Sequence, residues 1–304
     1  MKIGLIDVDG HNFPNVPLMK ISSYHKALGD DVEWWFPLAH YDRVYKTKIF
    51  SFTPDINTAI QADEVIEGGT GYAIKLEDGK ERYDKSKDSD LPAEIEKMCP
   101  DYSLYPQYSE AYGFLTRGCP RGCPFCVVAK KEGRCSKQVA ELSDFYRGQK
   151  EIKLLDPNIL ACTDRERMLL ALAQSGAKID FTQGLDIRLT EGIETLIKKI
   201  KIKRIHFAWD NPKEELSSFF ESFKKITNYD RSRLGVYVLT NFNSTMEENL
   251  YRVYKLRELG YDPYIMIYDK EHAPQEVRYL QRWVNNKIIF RSTSKFEEFD
   301  PKRG

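Results

Sequence analysis

The stretch LTRGCPRGCPFC, residues 115–126, places Cys119, Cys123 and Cys126 close together in a chain that has six cysteines in all. Thiolates are soft ligands that select zinc, copper(I) or iron–sulfur clusters. Structural zinc takes four protein ligands, and a four-iron cluster takes one ligand per iron. Three neighbouring thiols therefore leave one coordination position open. Gly118 and Gly122 let the loop curl, and Pro120 and Pro124 stiffen it. Cys99, Cys135 and Cys162 are scattered. Recruiting Cys135, beyond the basic KKEGR stretch, would instead make a four-ligand zinc knuckle.

Outward from this loop the chain alternates strand and helix patterns. Strands are predicted at 111–117, 151–156, 178–188, 203–209, 234–240 and 262–269, with helices near 136–148, 164–175, 191–200, 213–226, 246–259 and 274–285. Six such units are fewer than the eight of a closed barrel, and a doubly wound sheet fits the same alternation. Ahead of them, apolar strand patterns at 2–8, 31–37, 45–52 and 63–72 surround a helix at 18–28 and predict a small Rossmann-like parallel-sheet domain over residues 1–75. A hydrophilic, then tyrosine-rich linker is expected at 76–110, the larger α/β domain at 111–286 and a tail at 287–304.

The spacing C-x3-C-x2-C, with the aromatic Phe125 before the last cysteine and a strand before the first, resembles the signature of the radical S-adenosylmethionine (SAM) superfamily. The resemblance implies a partial (β/α)6 barrel over residues 111 to about 270. It implies a 4Fe-4S cluster on Cys119, Cys123 and Cys126, whose open iron takes the amino and carboxylate groups of SAM, and Phe125 near the adenine. An electron from the cluster would cleave the sulfonium. The resulting 5′-deoxyadenosyl radical would take hydrogen from a substrate, and a flavodoxin- or ferredoxin-type protein would supply the electron.

Chemistry in parallel barrels gathers at the C-terminal ends of strands, and alternation sorts the side chains there. Ile205, Phe207 and Trp209 should face the helices, leaving His206 and Asp210 inward. Leu185 and Ile187 should pack outward, with Asp186 and Arg188 inward. Gln183 would face outward unless a bulge at Gly184 shifts the register. Tyr264, Met266 and Tyr268 should point in. Arg188 is the candidate for a SAM carboxylate, because a guanidinium matches a carboxylate in bidentate fashion. Asp156, Asn158 and Asn241 are candidates for the amino group and ribose, although DPN stands at 156–158 where the family carries glycine-glycine-acid. His206, Asp210 and Tyr268 are the candidate catalytic groups. The bland alternatives are an Asp186–Arg188 pair, a satisfied interior His206, and Tyr237 and Tyr268 as packing.

In the first domain, Asp9-Gly10-His11 resembles the start of the cobalamin-binding fingerprint, and Gly68-Gly69 its later glycine pair. Pro14 stands where the fingerprint ends in glycine, so cobalamin is set against a degenerate domain in which Asp9 and His11, with Tyr237 of the larger domain, bind substrate. His11 as a plain turn residue is the structural alternative.

Lys+Arg and Asp+Glu are both 46, which removes a global signal for polyanions. The basic run Lys198, Lys199, Lys201, Lys203 and Arg204 reads as a solvated helix end before it reads as an RNA contact. The start of the chain lacks a secretory apolar region and no run approaches a membrane span, so a cytoplasmic protein without membrane association is expected. A small molecule or modified nucleobase is the expected substrate, with lyase or transferase chemistry. Modification of RNA or a peptide is the second reading, and a non-catalytic metal-binding module the third.

Overall fold

The computed structural model describes residues 1–77 and 80–302. Asp78 and Gly79, in the expected linker, and Arg303 and Gly304, in the expected tail, lie outside the described residues. The chain divides into two compact units, one of Met1–Gly113 with Ala140–Gln149 and one of Phe114–Val139 with Lys150–Gly304.

The first unit is built on four strands, β1 (Lys2–Asp7), β2 (Asp31–Trp34), β3 (Tyr41–Thr47) and β4 (Ala62–Gly68), in the order β2-β1-β3-β4. All three pairings are parallel. Helix α1 (Val16–Ala27) begins where the Asn15 side chain accepts from Leu18 N–H, and Gly29 follows its end with φ +82°. Its buried Leu18, Met19 and Ile21 meet Ile3 and Leu5 of β1 and Tyr45 of β3 in one apolar cluster. The hydrophilic stretch after β4 contains an antiparallel hairpin, Ile74–Glu77 with Lys80–Tyr83.

The second sheet has six strands, β5 (Ala111–Gly113), β6 (Glu151–Leu154), β7 (Lys178–Leu185), β8 (Ile202–Ala208), β9 (Leu234–Thr240) and β10 (Asp262–Ile267), in the order β10-β9-β8-β7-β6-β5. The pairings from β6 to β10 are parallel. Strand order is thus strictly sequential, without the reversal that defines a doubly wound sheet. The connecting helices include α2 (Arg165–Ser175), α3 (Glu194–Ile197), α4 (Ser217–Thr227) and α5 (Met246–Glu258), with α6 (Gln275–Asn285) after β10. Ile205, Phe207 and Trp209 are fully buried, and the Phe207 ring lies edge-on to Phe220 and Phe223 of α4. Hydrophobic burial of one face fixes the register of β8, because a one-residue slip would turn every side chain over.

The strand expected at 45–52 runs Tyr41–Thr47, the helix expected at 191–200 is only Glu194–Ile197, and two further segments differ in kind from the sequence reading. Residues 136–148 form no long helix. Lys137–Gln138 pairs antiparallel with Thr116–Arg117, and Leu142–Asp144 makes one 3-10 turn closed by Glu141 and Asp144. Residues 287–292 form a helix, α7 (Lys287–Ser292), whose Phe290 is buried against Trp283. Among the described residues no helix is long and apolar enough to cross a membrane.

Candidate functional site

A chamber of about 1090 Å³ opens within the second unit. Its walls come from β7, β8, β9 and β10, and the cysteine loop forms one end, with Cys119, Cys123, Phe125 and Cys126 all lining it. Gly118 (φ +85°) and Gly122 (φ +59°) take backbone conformations that L side chains rarely adopt. A Cβ on Gly118 would stand 2.3 Å from the carbonyl oxygen of Cys135, so the loop closes only on glycine there. Cys135 itself is exposed and lies outside the lining set.

The three thiols are half-buried. Burial pushes the Cys123 thiol up, and Cys126, Asp210 and Cys119 nearby add to that. Asn158 is buried beside it. Its Nδ2 donates to Cys119 Sγ at 3.7 Å, while its Oδ1 is enclosed with no hydrogen-bond partner among the described residues. Among the described residues no three His, Cys, Asp or Glu side chains converge around one point as they would for a single metal ion. A four-iron cluster asks for a different arrangement, one thiolate per iron. The chemistry of the donors fits it: three thiols on a glycine-curled loop at the end of a chamber.

Next to the thiols is a charged network. Arg188 Nε donates to Asp186 Oδ1 at 2.6 Å, and Arg188 Nη1 donates to Glu214. Arg121 reaches Glu214 Oε2 at 3.3 Å and Asp186 Oδ2 at 3.7 Å. The Asp186–Arg188 pair set out as an alternative is therefore present, and Arg188 carries a second carboxylate as well. Asp210 also lines this end. Burial raises its carboxyl to about 6, against a hydrogen bond from Leu239 N–H and the charges of Arg252 and Arg188.

The other end is aromatic. His206 stacks on Tyr237 with ring centroids 5.0 Å apart and planes 7° apart, and Tyr264 meets Tyr237 edge-on at 6.0 Å. The Tyr237 hydroxyl donates to the Thr182 carbonyl at 2.8 Å. His206 Nδ1 lies 3.1 Å from the Phe181 carbonyl, and burial lowers the imidazole to about 4. Gln183 does not face outward: pairing with β8 shifts register between Phe181 and Leu185, Gly184 has φ +101°, and this bulge turns Gln183 into the chamber.

Five of the residues singled out from sequence stand outside the lining. Asp156 is buried elsewhere, its oxygens accepting from Leu115 N–H, Thr116 N–H and the Thr116 hydroxyl. Burial outweighs those bonds and lifts its carboxyl to about 6. Asn241, at φ +62°, donates to the Tyr268 carbonyl, and the Tyr268 ring lies edge-on to Phe242. In the first unit, the Asp9 carboxylate accepts from Ile49 N–H, Phe50 N–H and the Thr53 hydroxyl. The His11 ring rests 4.1 Å from the Trp34 ring and edge-on to Tyr105.

Arg204, Glu214, Arg121 and Lys287 line the chamber without having been singled out for it. Arg204 stood in a basic run and Lys287 in an expected tail, and nothing local says that β8 and the segment after α6 share a chamber with the cysteine loop. The signal available for Arg204 was the alternation that marked His206 and Asp210, extended two residues back along β8.

No family model matches the chain, and no curated protein matches it.

Proposed function

We propose that this chain is a radical SAM enzyme, with a partial barrel formed by the sequential six-stranded sheet. One observation carries the reading. The three cysteines of the C-x3-C-x2-C stretch line one end of a chamber whose walls are four strands of that sheet, β7 to β10. Cys119, Cys123 and Cys126 would hold the cluster, which would supply the electron for reductive cleavage of SAM. Sequential strand order supports a barrel segment, since right-handed crossovers then place successive helices on one face and leave the other free to enclose a cavity.

The chain's own groups then have distinct tasks. Phe125, edge-on to Phe242 at 5.5 Å, offers an aromatic surface beside the thiols. Arg188 offers its guanidinium to a carboxylate if Glu214 gives way, because both donor sets are engaged in the structure. Asn158 has an enclosed acceptor oxygen ready for an ammonium or hydroxyl donor. His206, held neutral by burial, takes a proton or a hydrogen bond at Nε2 and carries no charge of its own. A small molecule or nucleobase as substrate suits a chamber of this size.

The test is anaerobic reconstitution with iron and sulfide. Wild type should hold about four irons, one per cluster position, and should yield 5′-deoxyadenosine from SAM under a one-electron reductant. Cys119→Ala, Cys123→Ala and Cys126→Ala should each lose that product, while Cys99→Ala, Cys135→Ala and Cys162→Ala keep it. A colourless protein that binds zinc, or a Cys126→Ala protein that still yields 5′-deoxyadenosine, overturns the reading.

A further inference from the structure

At the thiol end of the chamber Arg121, Arg188, Asp186 and Glu214 are engaged with one another, and Asn158 Oδ1 is left without a partner among the described residues. Arg188, Arg121 and Asn211 all reach Glu214, and Asp186 takes both arginines. The aromatic end differs. Gln183 and Tyr264 line the chamber, and their polar side-chain atoms have no hydrogen-bond partner among the described residues. His206 lines the chamber as well, and its Nε2, over the Cα of Gly235, has no hydrogen-bond partner among the described residues. Since a carbonyl oxygen only accepts, Nδ1 must be the protonated nitrogen that faces Phe181, and Nε2 of the neutral ring carries a bare lone pair.

The two cations lining this end are paired. Asp262 is shared between Arg204 Nη2 at 2.8 Å and Lys287 Nζ at 2.9 Å, and Lys287 also donates to the Pro263 and Val284 carbonyls. Asp180, whose Oδ1 lies 3.9 Å from His206 Nδ1, supplies the second carboxylate. Both cations that line the chamber here are already paired with Asp262, so neither calls for an anionic ligand. Flat walls call for a flat one: the His206–Tyr237 stack presents parallel rings with Tyr264 edge-on beside them.

We infer that the aromatic end of the chamber binds an uncharged planar heteroaromatic ring of the nucleobase type, which sits among His206, Tyr237 and Tyr264, meets the imidazole edge to edge and donates a ring N–H to His206 Nε2. Gln183 gives the ring a second polar contact. Extended backbone rises about 3.3 Å per residue, which separates Arg204 on β8 from Asp210, two residues past its end, by at most roughly 20 Å. A ligand at the aromatic end therefore leaves room for a second molecule next to the thiols. The inference rests on reading the chamber as the substrate chamber of the proposed enzyme, and it names the class of that substrate.

The test is equilibrium binding to the reconstituted protein with three probes: hypoxanthine, caffeine and benzoate. Hypoxanthine is a neutral purine with ring N–H groups, caffeine is a purine with none, and benzoate is a planar anion. Hypoxanthine should bind, and the other two should bind at least about tenfold more weakly, the scale of one lost hydrogen bond. His206→Phe keeps a ring beside Tyr237 but removes the lone pair, and should lose the preference for hypoxanthine over caffeine. Equal binding of hypoxanthine and caffeine, preferential binding of benzoate, or an unchanged preference in His206→Phe overturns the inference. SAM binding is read on the same samples. Protein that binds SAM but not hypoxanthine defeats this inference alone, and protein that selects hypoxanthine but neither binds nor cleaves SAM defeats the proposed chemistry alone.

Discussion

The Thr116 hydroxyl donates to Asp156 Oδ1 at 2.7 Å, and the same carboxylate takes the backbone N–H groups of Leu115 and Thr116. One buried acid after β6 thus anchors the segment that runs into the cysteine loop. Asp156→Ala leaves two buried N–H groups and a hydroxyl unpaired, each worth roughly 1–3 kcal/mol. The expected result is a loss of several kcal/mol and much faster hydrogen exchange at the Leu115 and Thr116 amides. Slow exchange of both amides in the variant would show that Asp156 is not the anchor.

That role was not legible in the sequence, where Asp156 reads as a strand-end acid and so as a ligand. What was legible followed from periodicity. In β8 one apolar face and one polar face alternate, so Phe207 and His206 could be assigned to opposite sides without knowing the fold. Gln183 depended on whether Gly184 bulged, and the bulge turned it inward. Residues 136–148 have helical spacing, yet long-range pairing of Lys137–Gln138 with Thr116–Arg117 overrides local propensity. Arg204 and Lys287 needed the three-dimensional arrangement, because their shared partner Asp262 is 58 residues from the first in sequence.

Gly235 lies beside the aromatic wall with no space to spare. A Cβ there would sit 2.7 Å from His206 Cδ2 and 3.2 Å from Arg204 Nη2. Gly235→Ala must therefore push the imidazole off Tyr237 or bend β9. Overpacking of this kind costs about 1–3 kcal/mol. The denaturation midpoint should fall accordingly, and the His206 ring resonances should shift in NMR spectra. An alanine variant with wild-type stability and unmoved resonances would contradict the packing.

Arg252 on α5 is almost wholly buried, and its guanidinium donates to the carbonyls of Trp209, Asp210 and Leu239 and to Asn249 Oδ1. Burial lowers its pKa to about 10. It ties together the C-terminal ends of β8 and β9, where Asp210 enters the chamber. Arg252→Met fills much of the volume but orphans those carbonyls, so a loss of about 3 kcal/mol is expected. Arg252→Lys, a single point donor, should recover only part of it. Full recovery by lysine would mean that one carbonyl, not the set, carries the effect.

His206 makes the stability of the second unit depend on pH in a defined direction. Burial brings its imidazole from 6.5 down to about 4, although the Phe181 carbonyl and Asp262 pull the other way and Arg204 adds to the drop. Above pH 6.5 the ring is neutral in folded and unfolded chain alike and contributes no slope. Between 6.5 and 4 the unfolded chain takes up a proton that the folded chain refuses, so stability falls as pH falls. The shift corresponds to a loss of at most roughly 3 kcal/mol. His206→Phe removes this component while leaving the other titrating groups in place, including Asp156 and Asp210, whose raised carboxyls tilt the curve the opposite way. Urea midpoints of wild type and variant should therefore converge or cross as pH drops from 6.5 to 4, with the variant gaining relative to wild type. A wild-type-minus-variant difference that stays flat over this window would place a proton on the folded imidazole and remove the bare Nε2 on which recognition of a ring N–H depends.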